Sequence, residues 1–301
     1  MTPRRRKTRS RRGRTVLALL AWLAAFGVAA PAQAAKVRYT FDAWAGPPLR
    51  VYATRPPGLA ADRPVVIVMH GVRRNARDYR DQWHDLANRH GFLLLAPEFN
   101  ARDFPGVEGY NFGDRRTADG RLRPPERWAY AALEPLFDDA RRRFGAAAGR
   151  YALYGHSAGA QFVQRTLLFA PGARLGRAVA ANAGWYMMPD YGEPYPYGLG
   201  GAPVTPEDVQ RALALPLTVL LGEADDDPQH ASLRRTPEAL RQGATRLERG
   251  RRFFATARDY AARQGVAFNW RQALVPNVGH DNRLMAPAAL PYLLGETYAN
   301  E

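Results

Sequence analysis

Cysteine is missing from all 301 residues. Its absence removes disulfide scaffolds, Cys-ligated zinc, iron-sulfur clusters, thiol nucleophiles and a lipid-bearing N-terminal cysteine. Lysine is almost missing too: Lys7 and Lys36 are the only two, although bases number 43 against 28 acids, a formal charge of +15. So strong a bias toward arginine is compositional rather than a design for phosphate binding. Serine is equally scarce, at Ser10, Ser157 and Ser232. No segment recurs with a period of roughly 20 to 50 residues, which excludes solenoids and propellers. No basic stripe interleaved with aromatics, helix-turn-helix or finger pattern is present, so nucleic acid is not an expected partner. What remains is 46% hydrophobic and 11% aromatic, enough for a sizeable core in one large domain or two small ones.

Much of the charge lies at the start. Residues 1–34 hold eight bases (Arg4, Arg5, Arg6, Lys7, Arg9, Arg11, Arg12, Arg14) and no acid, leaving 35 bases against 28 acids, or +7, for the rest. A run of apolar or small residues, 16–30, follows, then Pro31 and the triplet Ala32-Gln33-Ala34. Basic segment, apolar segment and A-x-A site describe a secretory signal peptide cleaved after Ala34 or Ala35. The run is short of the roughly 20 residues of a bilayer span, although an uncleaved signal-anchor is the alternative. Ser10-Arg11-Arg12 resembles a twin-arginine start, but Arg14 and Thr15 stand where Phe-Leu is preferred, so both export routes stay open. The mature chain is expected to be periplasmic or extracellular, without a membrane contact.

Beyond the leader, short Val/Ile/Leu runs alternate with amphipathic stretches. Residues 65–69 form an unbroken apolar run between Pro64 and Gly71, which predicts a strand buried on both faces. Further strands are predicted over 92–96, 151–154, 178–183, 217–221 and 268–275. Helices are predicted over 77–90, over 124–144 with a bend at Pro135, over 161–169, and as one long helix over 237–263. Arg141-Arg142-Arg143 and Arg249-Arg251-Arg252 read as solvated helix faces beside Asp138, Asp139 and Glu248. Alternating strand and helix implies an α/β fold with a mostly parallel sheet covered on both faces. In such a sheet, chemistry gathers in loops after the strands. The long loops 97–125 and 185–206 are placed at that rim.

Gly155-His156-Ser157-Ala158-Gly159 follows one predicted strand and opens a helix. G-x-S-x-G in that context is a nucleophile elbow, exposing Ser157 on a turn that only tiny flanking residues permit. The turn aims the N–H of Ala158 at a developing oxyanion. A serine hydroxyl needs a base, and the base an orienting acid. His280 lies just after the last predicted strand, where the elbow chain order places the base. His84, His90, His156 and His230 read as structural or solvated. Gly222-Glu223-Ala224-Asp225-Asp226-Asp227 follows the penultimate strand, with Asp225 favoured as the acid and Asp226, Asp227 and Glu223 as alternatives. His70-Gly71 ends the 65–69 strand, and a backbone N–H there, of Val72 or Arg73, is expected as second oxyanion donor. His70 itself reads as packed and hydrogen-bonded. Arg73 and Arg74 are candidates for a substrate carboxylate or carbonyl. Trp185 and Tyr186 are candidates for an acyl or aromatic-ring wall, the alternative being a lid packed on its own side chains.

With these motifs in place, residues 50–295 resemble the α/β-hydrolase superfamily. The H-G turn, the G-H-S-A-G elbow, the G-x-x-D acid turn and the late G-H look like the secreted poly(3-hydroxybutyrate) depolymerase and feruloyl esterase branch. That resemblance implies an eight-stranded, mostly parallel sheet, a single domain over 35–301 after the 1–34 signal, and ester hydrolysis through an acyl-enzyme with no metal or cofactor. Two departures, the missing disulfides and the missing polymer-binding domain, shift the expected substrate toward soluble esters or oligomers. A serine peptidase, an acyltransferase and a non-catalytic binding protein on the same scaffold are the rival readings.

Overall fold

The computed structural model describes residues 1–3 and 33–295. The expected signal peptide, apart from Met1–Pro3 and Gln33–Ala34, lies outside the described residues. The chain divides after Ala32, and every element described belongs to the second unit.

Val65–Met69 (β3) shows why an unbroken apolar run becomes a central strand. Its five side chains are all buried, with Val65, Ile67 and Met69 in one core cluster and Val66 and Val68 in the other. Period-two alternation therefore sends neighbouring side chains to opposite faces, each covered by helices. One face carries α1 (Ala76–His90) and α8 (Asn282–Leu294) through Trp83, Leu86, Met285 and Leu293. The other carries α3 (Leu133–Phe144), α4 (Ala158–Phe169), α5 (Pro206–Ala214) and α7 (Arg246–Gln264).

Eight strands form the sheet in the order β1-β2-β4-β3-β5-β6-β7-β8. β4 (Leu93–Glu98), β5 (Tyr151–His156), β6 (Leu175–Ala181), β7 (Leu217–Gly222) and β8 (Arg271–Val275) run parallel with β3. The sheet is mixed, because β1 (Ala35–Phe41) and β2 (Leu49–Arg55) add two antiparallel pairings at one edge. These two strands have no counterpart among the predicted elements. β1 is an edge strand in which only Phe41 is buried and Val37 and Tyr39 are half-buried, so its apolar signal is weak. Among the described residues no helix is long and apolar enough to cross a membrane.

Two predicted helices are corrected. The segment expected to be helical from 124 begins as two 3-10 turns, Pro125–Arg127 and Ala129–Ala132, before α3 starts at Leu133. Pro135 thus falls in the first turn of α3, where a missing N–H breaks no helical bond, and no bend is needed. The long helix expected over 237–263 is two helices, α6 (Pro237–Gln242) and α7. Gly243, at φ 150°, separates them, and Thr245 caps α7 by accepting a bond from the Glu248 N–H at 3.2 Å. The solvated arginine face is corrected in part: Arg249 is buried, while Arg251 and Arg252 are exposed.

Candidate functional site

Ser157 sits between β5 and α4 at φ 59°, ψ −116°, a conformation that costs a non-glycine residue energy. The glycines around it are dictated by contact. A Cβ on Gly155 would lie 2.2 Å from the Gly159 carbonyl oxygen, and one on Gly159 would lie 2.3 Å from that of Met69. The second contact seats the end of β3 directly against the elbow. The Ser157 N–H is taken by Ala181 at 2.9 Å. The N–H of Ala158, at the open start of α4, and that of Val72 carry no hydrogen bond within the described residues. For Ala158 this is the ordinary state of an N–H in the first turn of a helix.

The loops after β7 and β8 bring Asp225 and His280 together. Of the four carboxylates after β7, that of Asp225 meets His280: its Oδ2 lies 2.7 Å from His280 Nδ1, and its side chain is 2% exposed. His280 Nε2 lies 3.0 Å from Ser157 Oγ. Asp226 and Asp227 are exposed. The acid turn and the base loop are laced together, since Glu223 N–H donates to Val275 and Ala224 N–H donates to Val278, both at 3.0 Å. Gly222 is required at their crossing, because a Cβ there would fall 2.3 Å from the Val278 carbonyl oxygen.

The 97–125 loop builds the turn after β3. His70 is fully buried and stacks on Tyr110 at 4.5 Å. It accepts the Phe99 N–H at Nε2 (3.1 Å), so its Nδ1 proton faces the Gly71 carbonyl (3.0 Å). Burial pushes its pKa down to about 3. Arg74 donates to the carbonyls of Phe99 (2.8 Å) and Gly106 (2.6 Å), which occupies it in holding that loop. Arg73 is exposed, and Val72 presents 62% of its surface.

Trp185 and Tyr186 occupy other surroundings than an open wall. Tyr186 is fully buried, its ring stacked on Phe253 at 4.5 Å. Trp185 is buried against Tyr197 (4.5 Å) and Phe112 (5.6 Å), with the guanidinium of Arg165 at 4.8 Å. The start of the 185–206 segment is thus packed into the body of the protein, with Trp185–Tyr197 a contact of the segment with itself. Gln242 and Arg165 tie it down: Gln242 accepts the Tyr186 N–H (2.8 Å) and donates to the Tyr186 carbonyl (2.7 Å), and Arg165 donates to the Pro196 carbonyl (3.1 Å). Arg249, buried beside it, donates to the carbonyls of Gly184 (2.6 Å), Arg234 (2.9 Å) and Gly243 (2.9 Å).

Several residues at the site are not signalled by the sequence. Asn182, at φ 48°, accepts from the Gly222 N–H (2.8 Å) and donates to the Gly279 carbonyl (3.0 Å), joining the ends of β6, β7 and the base loop. Arg246 Nη1 bonds the second oxygen of Asp225 at 3.1 Å, with both side chains buried. His230, read above as structural or solvated, lies with its ring 5.5 Å from that of His280. His156 is buried with its ring 4.6 Å from His280. Burial, then the neighbouring His280 and Arg246, push the His156 pKa well below the ordinary histidine range. Asn182, Arg246 and His230 belong to no local motif, and their roles appear only once distant segments meet. Among the described residues no group of three His, Asp or Glu side chains is placed to hold a metal ion.

No protein-family model and no curated protein matches the chain. Solved structures do. A poly(aspartic acid) hydrolase from Sphingomonas sp. KT-1 is 42% identical over 87% of this chain and 99% of its own, with a TM-score of 0.84. A poly(3-hydroxybutyrate) depolymerase from Bordetella parapertussis is 38% identical over 87% of this chain and 90% of its own, with a TM-score of 0.80. An S-formylglutathione hydrolase from Agrobacterium tumefaciens shares the fold at 16% identity, with a TM-score of 0.55 and coverage of 87% and 96%.

Proposed function

The chain belongs to the α/β-hydrolase family that includes the poly(aspartic acid) hydrolase and the poly(3-hydroxybutyrate) depolymerase, and from that premise we propose that it cleaves carboxylic esters of hydroxy acids through an acyl-enzyme on Ser157. The observation that carries this reading is the continuous relay from Ser157 Oγ through His280 to Asp225, at 3.0 and 2.7 Å. His280 Nε2 takes the hydroxyl proton as Ser157 attacks the carbonyl carbon, and Asp225 holds the imidazole in the tautomer with Nε2 free to accept. The free N–H groups of Val72 and Ala158 stabilise the tetrahedral oxyanion. His280 then gives the proton to the departing alcohol, and a water molecule, activated by the same imidazole, releases the acid. Ser157→Ala is expected to lower turnover of hydroxybutyrate oligomers by on the order of 10⁴, because triad members act as a unit. Near-native turnover in the folded variant would refute the assignment.

A second reading is an amide bond within a polyanion, favoured by the 42% identity to a poly(aspartic acid) hydrolase. The same chemistry serves, with an amine as leaving group. Supplying poly(aspartic acid) beside hydroxybutyrate oligomers and measuring new amine against new hydroxyl separates the two, since both reactions release acid.

Residues 1–34 are proposed to direct export. N-terminal sequencing of protein recovered outside the cytoplasm is expected to begin at Ala35 or Lys36.

A further inference from the structure

His230 has no part in the relay, yet it is held beside it by an arrangement that fixes the position of its proton. Three groups converge on its Nδ1: Arg246 Nη2 at 3.3 Å, the Ser232 N–H at 3.3 Å and Ser232 Oγ at 3.2 Å. Arginine and a backbone amide can only donate, so Nδ1 is the acceptor and the ring proton must sit on Nε2. Arg246 is held in turn by Ser232 Oγ (2.9 Å) and by Asp225 (3.1 Å). Burial and the Arg246 charge lower the His230 pKa, in keeping with a neutral ring. Within the described residues the hydrogen bonds of the His230 ring all fall on Nδ1, leaving Nε2–H without a partner, and His230 is partly exposed. An oriented donor thus stands free with its ring edge-on to His280, 5.5 Å away.

The leaving group departs beside His280, since His280 returns the proton to the leaving atom. We propose that the Nε2–H of His230 donates a hydrogen bond to a carbonyl or carboxylate on the leaving-group half of the substrate. The enzyme would thereby select chains whose next unit carries a carbonyl over esters of plain alcohols. Arg246 is the positioning residue of this contact: it fixes the His230 tautomer through one nitrogen and anchors Asp225 through the other. The inference rests on the ester reading above and adds the feature by which a chain substrate is recognised.

The test compares two esters with the same acyl half, ethyl 3-hydroxybutyrate and the 3-hydroxybutyrate dimer, whose leaving half ends in a carboxylate. Wild type is expected to prefer the dimer. His230→Phe is expected to lower that preference, as a ratio of kcat/KM values, by about tenfold or more, the range for one hydrogen bond to a charged group. His230→Gln, which keeps an N–H donor, should recover part of it. An equal loss on both esters would mean that His230 only supports His280 and would overturn the contact, as would no loss at all. A separate readout is needed should neither ester turn over, an outcome that sinks the ester reading itself. In Ser157→Ala, the nitrogen resonances of His230 are expected to report Nε2 protonated and Nδ1 bare, with Nε2 shifting as the dimer is added. A protonated Nδ1, or no shift at saturating dimer, would overturn the proposal independently of activity.

Discussion

At the residue scale, the site depends on groups that touch no substrate but set where the reacting atoms lie. Gly222 is the sharpest case, because the base loop crosses over it with no room for a methyl group. Gly222→Ala is expected to push Val278 and His280 outward and lower kcat by about tenfold or more, since small misplacements of a catalytic group are costly. Circular dichroism should show the fold retained, which separates displacement from unfolding. Asn182 makes two bonds that hold the acid turn and base loop together. Asn182→Ala should cost about 1 to 3 kcal/mol in urea denaturation and lower kcat more than it raises KM. Ser157, Asp225 and His280 are legible in sequence because each is marked by local chemistry: an elbow, an acid turn, and a Gly-His pair after a strand. Asn182, Arg246 and His230 are not legible, because what distinguishes them is contact with residues 40, 21 and 50 positions away respectively.

Among the secondary-structure elements, the fully buried strands were the easiest to read and the helix interruptions the hardest. A run such as 65–69 has no solvated face, so its composition alone declares its place. The break between α6 and α7 has a different origin. Polar and apolar residues continue through it at helical spacing, and the interruption comes from Gly243 and the Thr245 cap. The break has a function, since it brings Arg246 one residue beyond the cap to the acid turn, where the Leu247 N–H also donates to the Asp225 carbonyl at 3.3 Å. Thr245→Ala is expected to destabilise the protein by about 1 kcal/mol, the usual cost of a lost helix cap, measured as a lower urea midpoint. Activity should fall with it, because the start of α7 carries Arg246. The 185–206 segment shows the limit of composition: its aromatics suit a substrate wall or a packed segment equally, and only the contacts of Trp185 and Tyr186 with Phe112, Phe253 and Arg165 show that these two are packed.

For the whole molecule, stability without a disulfide depends on the two core layers and on buried polar groups kept neutral. His70 is the clearest such group. Its folded pKa of about 3 lies below the unfolded value of about 6.5. Its neutral burial therefore contributes stability that is fully present above pH 6.5 and lost as pH falls from there toward 3. At about 1.4 kcal/mol per unit, the loss is about 3 kcal/mol by pH 4, and His156 changes in the same direction. Urea midpoints measured from pH 7 to pH 4 are expected to fall steeply, and less steeply in His70→Gln. The sequence by itself determined that this chain is α/β, that Ser157 stands on a glycine-flanked turn between strand and helix, and that Asp225 and His280 follow later strands, because these are local patterns of period, glycine and chain order. Tertiary structure alone decided the strand order, the two antiparallel pairings at one edge, which of four neighbouring carboxylates meets His280, and the place of Arg246 and His230. Those depend on free energy shared between segments far apart in the chain, which no local pattern encodes.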